Sequence, residues 1–441
     1  MKYGKANLDN LNIKINDTQY LVSKCRKSNK DFIRNRKLTP KELILYNLNN
    51  RGKTTKMELN EFIEKCNIDK VSDVALLKQR EKLNEEIFRI LNNEAMIDFY
   101  TNFKDEVKTF KGYLLLAKDG SDCEVPNTKE TRERYRPKNV KKDKIARIKL
   151  SNCYDVLNCF VLDTQIQSYK YSEVELAYEH MKNIKPLIDN YQTISIRDRG
   201  YLSLTYIYTA IKNNEKFVIR LDKKNKLKIE QQSMKTDDEL IEIKYQYDRI
   251  RYYKNTNQEF YEYYENGNTM KVRFVNIVLP TGETETLVTN LDKKEFSKSD
   301  IDYIYQCRWG IETNYGILKN SMKITNISSS KDGIIKQEIY STMLVYNTLQ
   351  GLVNDLEDEI EQEKYKHKMK INFNMAVGFV KKYLILILLE DDNDKRKKLS
   401  DILFKKILEN IIPVRPNRKY PRNKHNNACY NKYPINKRKS F

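Results

Sequence analysis

The spacing of apolar residues changes three times along the chain, and each change marks a boundary. Residues 1–37 are basic and polar with little periodicity, and read as a tether or a partly ordered helix. Thr39-Pro40-Lys41-Glu42 then predicts a helix start, with Thr as N-cap and Pro at the first helical position. Leu43, Ile44, Tyr46 and Leu48 give that helix an apolar side, and Asn49-Asn50-Arg51-Gly52 breaks it. Thr55-Lys56-Met57-Glu58 reads as a capping box ahead of Leu59, Phe62 and Ile63. Ser72 opens a third helix running to Lys82, and a fourth begins near Asn84 with Ile87, Phe88 and Leu91.

From Lys111 the pattern becomes strand-like. Gly112–Ala117 is a short apolar run that predicts a buried strand stopping in a turn at Lys118-Asp119-Gly120-Ser121. Ala146–Leu150 and Val156–Val161 read as further strands. Ser172-Glu-Val-Glu175 caps a helix through about Ile184. Thr193–Arg197 is a strand ending at Asp198-Arg199-Gly200-Tyr201, and a helix (Leu202–Lys212) and a strand (Phe217–Leu221) follow. This succession argues for an α/β layered domain. Residues 222–295 read as a β-rich insertion with strands at 239–247, 249–253, 270–279 and 283–290, the last two joined by a turn at Pro280-Thr281-Gly282. Tyr245–Lys254 interleaves aromatic and basic side chains, a pattern suited to stacking on unpaired bases but more simply an antiparallel sheet with a solvated basic face. Helical spacing returns from Ser297 to Met322 and dominates 336–411. The divisions are therefore 1–105, 106–221, 222–295, 296–335 and 336–441.

Composition narrows the function. Among 441 residues there are 82 Lys and Arg against 61 Asp and Glu, a net charge of +21. Such an excess suits a polyanion, most often nucleic acid. AT-rich codons inflate lysine counts, but they do not explain clustering. No acidic residue occurs from Arg415 to Phe441, where Arg415, Arg418 and Arg422 lead a series of cations interrupted by prolines, a tail suited to phosphate contact. The third helix carries Lys78, Gln79 and Arg80, which fits the recognition helix of a helix-turn-helix unit, or equally a small bundle with a solvated charged face. No apolar run is long enough to span a bilayer, and the N-terminus lacks the apolar core of a signal peptide; the cytoplasm is the expected compartment. The seven cysteines are scattered and the three histidines are far apart, so hard-metal chemistry here falls to carboxylates.

The sharpest feature is Tyr305-Gln-Cys-Arg308-Trp-Gly-Ile-Glu312-Thr-Asn-Tyr-Gly-Ile-Leu-Lys319. On a helix, Arg308, Glu312 and Lys319 fall at about −60°, −20° and −40° from Tyr305, one narrow stripe beside an apolar stripe of Ile304, Ile311 and Leu318. A carboxylate flanked by two cations and a phenol suits a site that binds both phosphate and metal. An ordinary i,i+4 Arg308–Glu312 pair accounts for the stripe equally well. Trp309, the single tryptophan, is expected in the core.

The complete Tyr-x2-Arg-x3-Glu-x6-Lys spacing resembles the signature of bacterial insertion-sequence transposases of the "insertion sequence four" type. The resemblance implies a ribonuclease-H-like catalytic core with a β-rich insertion, an N-terminal helical DNA-binding region and a basic C-terminal end. It implies that Asp119, before Gly120-Ser121, and Asp198, in Asp-x-Gly-aromatic, join Glu312 as catalytic residues and ligands of two Mg²⁺ or Mn²⁺ ions. Asp122, Asp155, Asp163 and Asp300 belong to no matched motif. It further implies double-stranded DNA partners (terminal inverted repeats and target DNA), a homodimer in the DNA complex and action at the bacterial nucleoid. The expected function is cut-and-paste transposition by two-metal phosphoryl transfer; a hairpin intermediate is common in the family. The alternatives are a catalytically silent DNA-binding relative, or a metal-dependent nuclease that cuts without joining.

Overall fold

The computed structural model describes residues 2–415, apart from 35, 51, 136–145, 169–170, 223–224, 226, 245 and 280–281. Its centre is a mixed eight-stranded sheet. The first five strands are β1 (Tyr113–Glu124), β2 (Arg147–Asp155), β3 (Phe160–Gln167), β4 (Gln192–Arg197) and β5 (Lys216–Arg220). They stand in the order β3-β2-β1-β4-β5; β1, β4 and β5 run parallel, and β2 and β3 add an antiparallel meander. Leu114, Leu115, Leu116, Ala117, Ile194 and Ile196 are fully buried because this parallel centre is covered on both faces.

Strand β1 corrects the sequence expectation. It does not turn at 118–121 but runs on to Glu124, paired with β2 throughout. Backbone pairing with a long hairpin partner overrides the turn preference of Asp-Gly. Likewise 156–159 is the turn between β2 and β3 rather than the start of a strand.

The insertion extends the same sheet. β6 (Asp238–Ile243), β7 (Met270–Val278) and β8 (Thr284–Thr289) continue it beyond β5 in the order β5-β8-β7-β6. Residues 249–253, expected as a strand, are instead helical: a short helix over Tyr247–Ile250 continues as a 3-10 turn over Arg251–Lys254. Tyr245, and residues 280 and 281 of the expected hairpin turn, lie outside the described residues.

Among the described residues, the first 102 carry six helices: α1 (Tyr3–Asn16), α2 (Thr18–Cys25), α3 (Pro40–Leu48), α4 (Thr55–Cys66), α5 (Asp73–Arg80) and α6 (Glu86–Asn102). Thr39 is the N-cap of α3 and Pro40 its first residue, as expected, and Glu42 completes a capping box. The cap of α4 is Thr54, one residue earlier than the sequence pattern predicts, with Glu58 accepting the Lys53 N–H at 2.8 Å. Of the two expectations for 1–37, a tether or a partly ordered helix, the helical one holds over α1 and α2. Leu8, Leu11 and Ile15 recur at helical spacing and bury α1 against α7 (Asp332–Glu357), a helix buried almost all round. The two backbones touch where they cross: a Cβ on Gly4 would lie 2.3 Å from the Gly351 carbonyl carbon. Helices α8 (Phe373–Leu389) and α9 (Asn393–Leu408) also pack on α7, and α8 touches α1.

The segment expected as one helix from 297 to 322 is two: α10 (Lys298–Gln306), capped by Ser297 with Asp300, and α11 (Trp309–Asn320). At the junction the Arg308 N–H bonds to Tyr305 and the Ile311 N–H to Arg308, tightened three-residue steps. Ile304, Ile311 and Leu318 nevertheless stay fully buried, so the apolar stripe crosses the break. Trp309 lies across the helix from Ile311 and is 47% exposed, not in the core. Among the described residues no helix is long and apolar enough to cross a membrane.

Candidate active site

Strands β1 and β4 pair in parallel as far as Ala117 opposite Ile196. Two residues beyond those positions stand Asp119 and Asp198. Asp119 continues within β1, paired there with β2, while Asp198 leaves β4 into a 3-10 turn over Arg199–Tyr201. The end of the parallel pairing therefore delivers the two carboxylates to one edge of the sheet, the edge where open α/β sheets bind ligands.

Helix α11 closes on this edge. Tyr315, one turn after Glu312, points its hydroxyl at the Asp119 carbonyl (2.9 Å) and the Leu150 carbonyl (3.2 Å). Lys319 Nζ donates to Ser121 Oγ at 2.6 Å. Tyr305 donates to Asp198 Oδ1 at 3.5 Å, and Arg220, the last residue of β5, reaches the same oxygen at 3.1 Å. Arg308 pairs with Glu312 at 2.8 Å, its guanidinium over the rings of Tyr305 and Trp309 at 5.6 and 5.1 Å. Its charge also acts on both Asp119 and Asp198. The structure thus gathers Asp119, Asp198, Tyr305, Arg308, Glu312 and Lys319, whose motifs are widely separated along the chain.

Burial pushes the Asp119 carboxyl up to about 6, against the opposing Gly120 N–H and Arg308, with the charges of Glu173 and Glu312 adding to the rise. Burial also pushes the Tyr305 phenol up to about 12. Arg308 Nε and Arg220 Nε make no hydrogen bond among the described residues. No group of three or more His, Cys, Asp or Glu among the described residues converges closely enough to hold a metal ion. Glu312 is turned to Arg308 and Asp198 to Arg220. The donor set still suits a divalent cation: the oxygens are hard ligands, and like charges crowd the half-buried Asp119 in a way a cation would relieve.

Other expected contacts fare differently. Lys78 is exposed, Gln79 is buried and Arg80 is 0% exposed. Arg80 donates from Nε to Gln337 (3.2 Å), from both terminal nitrogens to Glu338 (3.2 and 3.1 Å) and from Nη2 to Asn47 (2.8 Å). This corrects the reading of Gln79 and Arg80 as DNA contacts: the face that carries them docks the helix onto α7. Arg415 is exposed, whereas Arg418 and Arg422 lie outside the described residues. Asp155 and Asp163 serve the interior, Asp155 taking the Tyr100 hydroxyl at 2.7 Å and Asp163 the His180 ring at 2.7 Å. His180 also meets Ser151 at 2.9 Å, a Ser-His-Asp chain sealed from solvent and so closed to substrate.

Motif spacing does not find Glu173, Arg220 or Tyr315. Of these Arg220 carries a signal, since it ends the strand next to the Asp198 strand at the same sheet edge.

The transposase DDE domain model matches residues 111–348. The transposase InsG for insertion sequence element IS4 of Escherichia coli (strain K12) is 21% identical over 382 residues, covering 83% of this chain and 81% of that one. A piggyBac transposase, solved by cryo-EM as a synaptic complex with hairpin DNA, aligns over 94% of this chain and 87% of its own, with 10% identity and a TM-score of 0.45. The domain match takes in both aspartates and the whole motif on the closing helix, and it spans more than half of the chain, which belongs to the transposase DDE domain family and is a DNA transposase of the IS4-like kind.

Proposed function

We propose that this transposase binds the terminal inverted repeats of an insertion sequence, cuts DNA there and joins the freed ends to target DNA, with Asp119, Asp198 and Glu312 as its catalytic carboxylates. The observation that carries the reading is the delivery of Asp119 and Asp198 to one sheet edge under the helix that bears Glu312. The strand order β3-β2-β1-β4-β5, with two antiparallel and two parallel steps, supports a ribonuclease-H-like core made of 106–221 and 296–335. The strands of 222–295 extend it, and 1–105 and 336–441 frame it.

The three carboxylates would hold Mg²⁺ or Mn²⁺, two ions per site in this reading. Bound there, the ions supply activation of water and stabilisation of the leaving 3′ oxygen. Before DNA binds, Arg308 neutralises Glu312. A DNA phosphate is the better partner for a guanidinium fork, so Arg308 exchanges Glu312 for phosphate and frees the carboxylate to join the aspartates. Lys319 and Tyr305 position the same strand, and Lys78 and Arg415 contribute longer-range attraction together with Arg418 and Arg422. The working form on DNA is a homodimer.

The test is incubation of the purified chain with terminal-repeat DNA, target DNA and Mg²⁺. Joined products are expected. Nicks without joined products leave a nuclease, and binding without nicks leaves a silent DNA-binding protein.

A further inference from the structure

The residues just before the two aspartates are both cations, and both are buried. Lys118 precedes Asp119 and Arg197 precedes Asp198, and each side chain is 0% exposed. Strand side chains alternate, so these cations point through the sheet to the face opposite the carboxylates. One acid meets them there. Glu215, in the turn before β5, accepts from Arg197 Nη2 at 2.8 Å, from Ser195 Oγ at 2.6 Å and from Lys118 Nζ at 3.4 Å. Lys118 also donates to Ser195 at 2.8 Å. The Arg197 guanidinium lies 4.3 Å from the Tyr206 ring centroid, and its Nε and Nη1 have no hydrogen-bond partner among the described residues. Two cations and one acid in a dry site are under mutual repulsion, and Glu215 is what holds them together.

We propose that Glu215 is a positioning residue: by drawing Lys118 and Arg197 to a single carboxylate beneath the sheet, it fixes the separation of Asp119 and Asp198 above it. The inference rests on the assignment of those two aspartates as metal ligands. No hydrogen bond or ion pair joins Glu215 to them among the described residues. Its influence passes along one backbone step in each strand, from Lys118 to Asp119 and from Arg197 to Asp198. A buried acid that merely balances charge affects stability alone; one that sets the spacing of two ligands also affects the affinity of the metal they share.

The experiment is a Mn²⁺ titration, read by electron paramagnetic resonance, of the full chain bound to pre-cleaved terminal DNA at a temperature well below melting. Glu215→Gln should weaken Mn²⁺ binding about 10- to 100-fold, the range for residues that orient metal ligands. It should slow end cleavage to match and leave DNA binding intact. Lys118→Met added to Glu215→Gln removes one of the two opposed cations and should recover part of the Mn²⁺ affinity. Glu215→Asp keeps the counter-charge but is one methylene short, so it should fall between wild type and Gln; it carries the test if the Gln variant does not fold. Unchanged Mn²⁺ affinity in the folded variants, with Asp119→Asn and Asp198→Asn inactive, overturns the inference and spares the site. Full cleavage by Asp119→Asn and Asp198→Asn overturns the site assignment itself.

Discussion

Two arginines, one in the helical platform and one at the sheet edge, are buried to nearly the same degree and are treated in opposite ways. Arg80 has its donors matched by Gln337, Glu338 and Asn47, and it ties α5 to α7. Arg308 is 7% exposed and, among the described residues, has one carboxylate partner and two aromatic faces and leaves Nε unbonded. A satisfied guanidinium locks two elements together, because breaking it strands charge in the interior. An incompletely satisfied one retains capacity for an anion that is not yet there. The platform is built to stay in one state, and the site is built to change partners.

The harshest way to break this contrast is at the carboxylates. Asp119→Asn, Asp198→Asn and Glu312→Gln should each bring Mg²⁺-dependent cleavage of terminal DNA down to background while DNA binding persists, since the basic surface is untouched. Cleavage assays beside gel-shift titrations check this. Next comes Arg80→Met, which should cost about 3–5 kcal/mol of stability by removing the buried guanidinium that pairs with Glu338. Denaturant unfolding would read it, and the fraction that remains folded should cleave normally. Arg308→Ala should do the reverse, slowing cleavage about 10²-fold through a misplaced scissile bond while barely moving the melting temperature. Arg308→Lys should also be slow, because an ammonium lacks the two-pronged fork. A large drop in melting temperature with normal cleavage would make Arg308 a second Arg80. The smallest effect is expected from deleting 415–441, a segment rich in Lys and Arg and devoid of Asp and Glu. The slope of log K against log salt should become shallower by about 0.9 for each DNA phosphate that the segment neutralises; an unchanged slope would show that it neutralises none.

What can be read from the sequence follows from where the determinants are local. Strand β4, its end at Asp198, and the caps at Thr39, Ser72 and Ser172 are legible because a few adjacent residues decide them. The spacing from Tyr305 to Lys319 is legible as a motif, yet the break at Cys307–Arg308 is not: no Gly or Pro stands at those two positions, and apolar stripe and motif both run across them. The extension of β1 past Asp119 is hidden because its cause is β2, more than twenty residues later. Arg80 misleads because its partners Gln337 and Glu338 lie on α7, 257 and 258 positions away. Residues 1–37 read as no more than a tether or a partly ordered helix for the same reason. Their apolar face is modest and makes sense only once α7 is present.

That last packing has a consequence for how the chain is made. The first helix is anchored by Asp355, which accepts the backbone N–H groups of Gly4 and Lys5, and by the Ile387 and Leu388 carbonyls, which hold Asn12. At about 5–20 residues per second of synthesis, α1 emerges from the ribosome roughly 20–70 s before the residues that bury it. During that interval only its lighter contacts with α2, α3 and α6 are available, so the beginning of the chain is among the last parts to settle. Its open apolar face meanwhile makes the nascent N-terminus a target for chaperones and proteases, and a message truncated before the codon for Gly351 yields a product whose first helix never finds its seat.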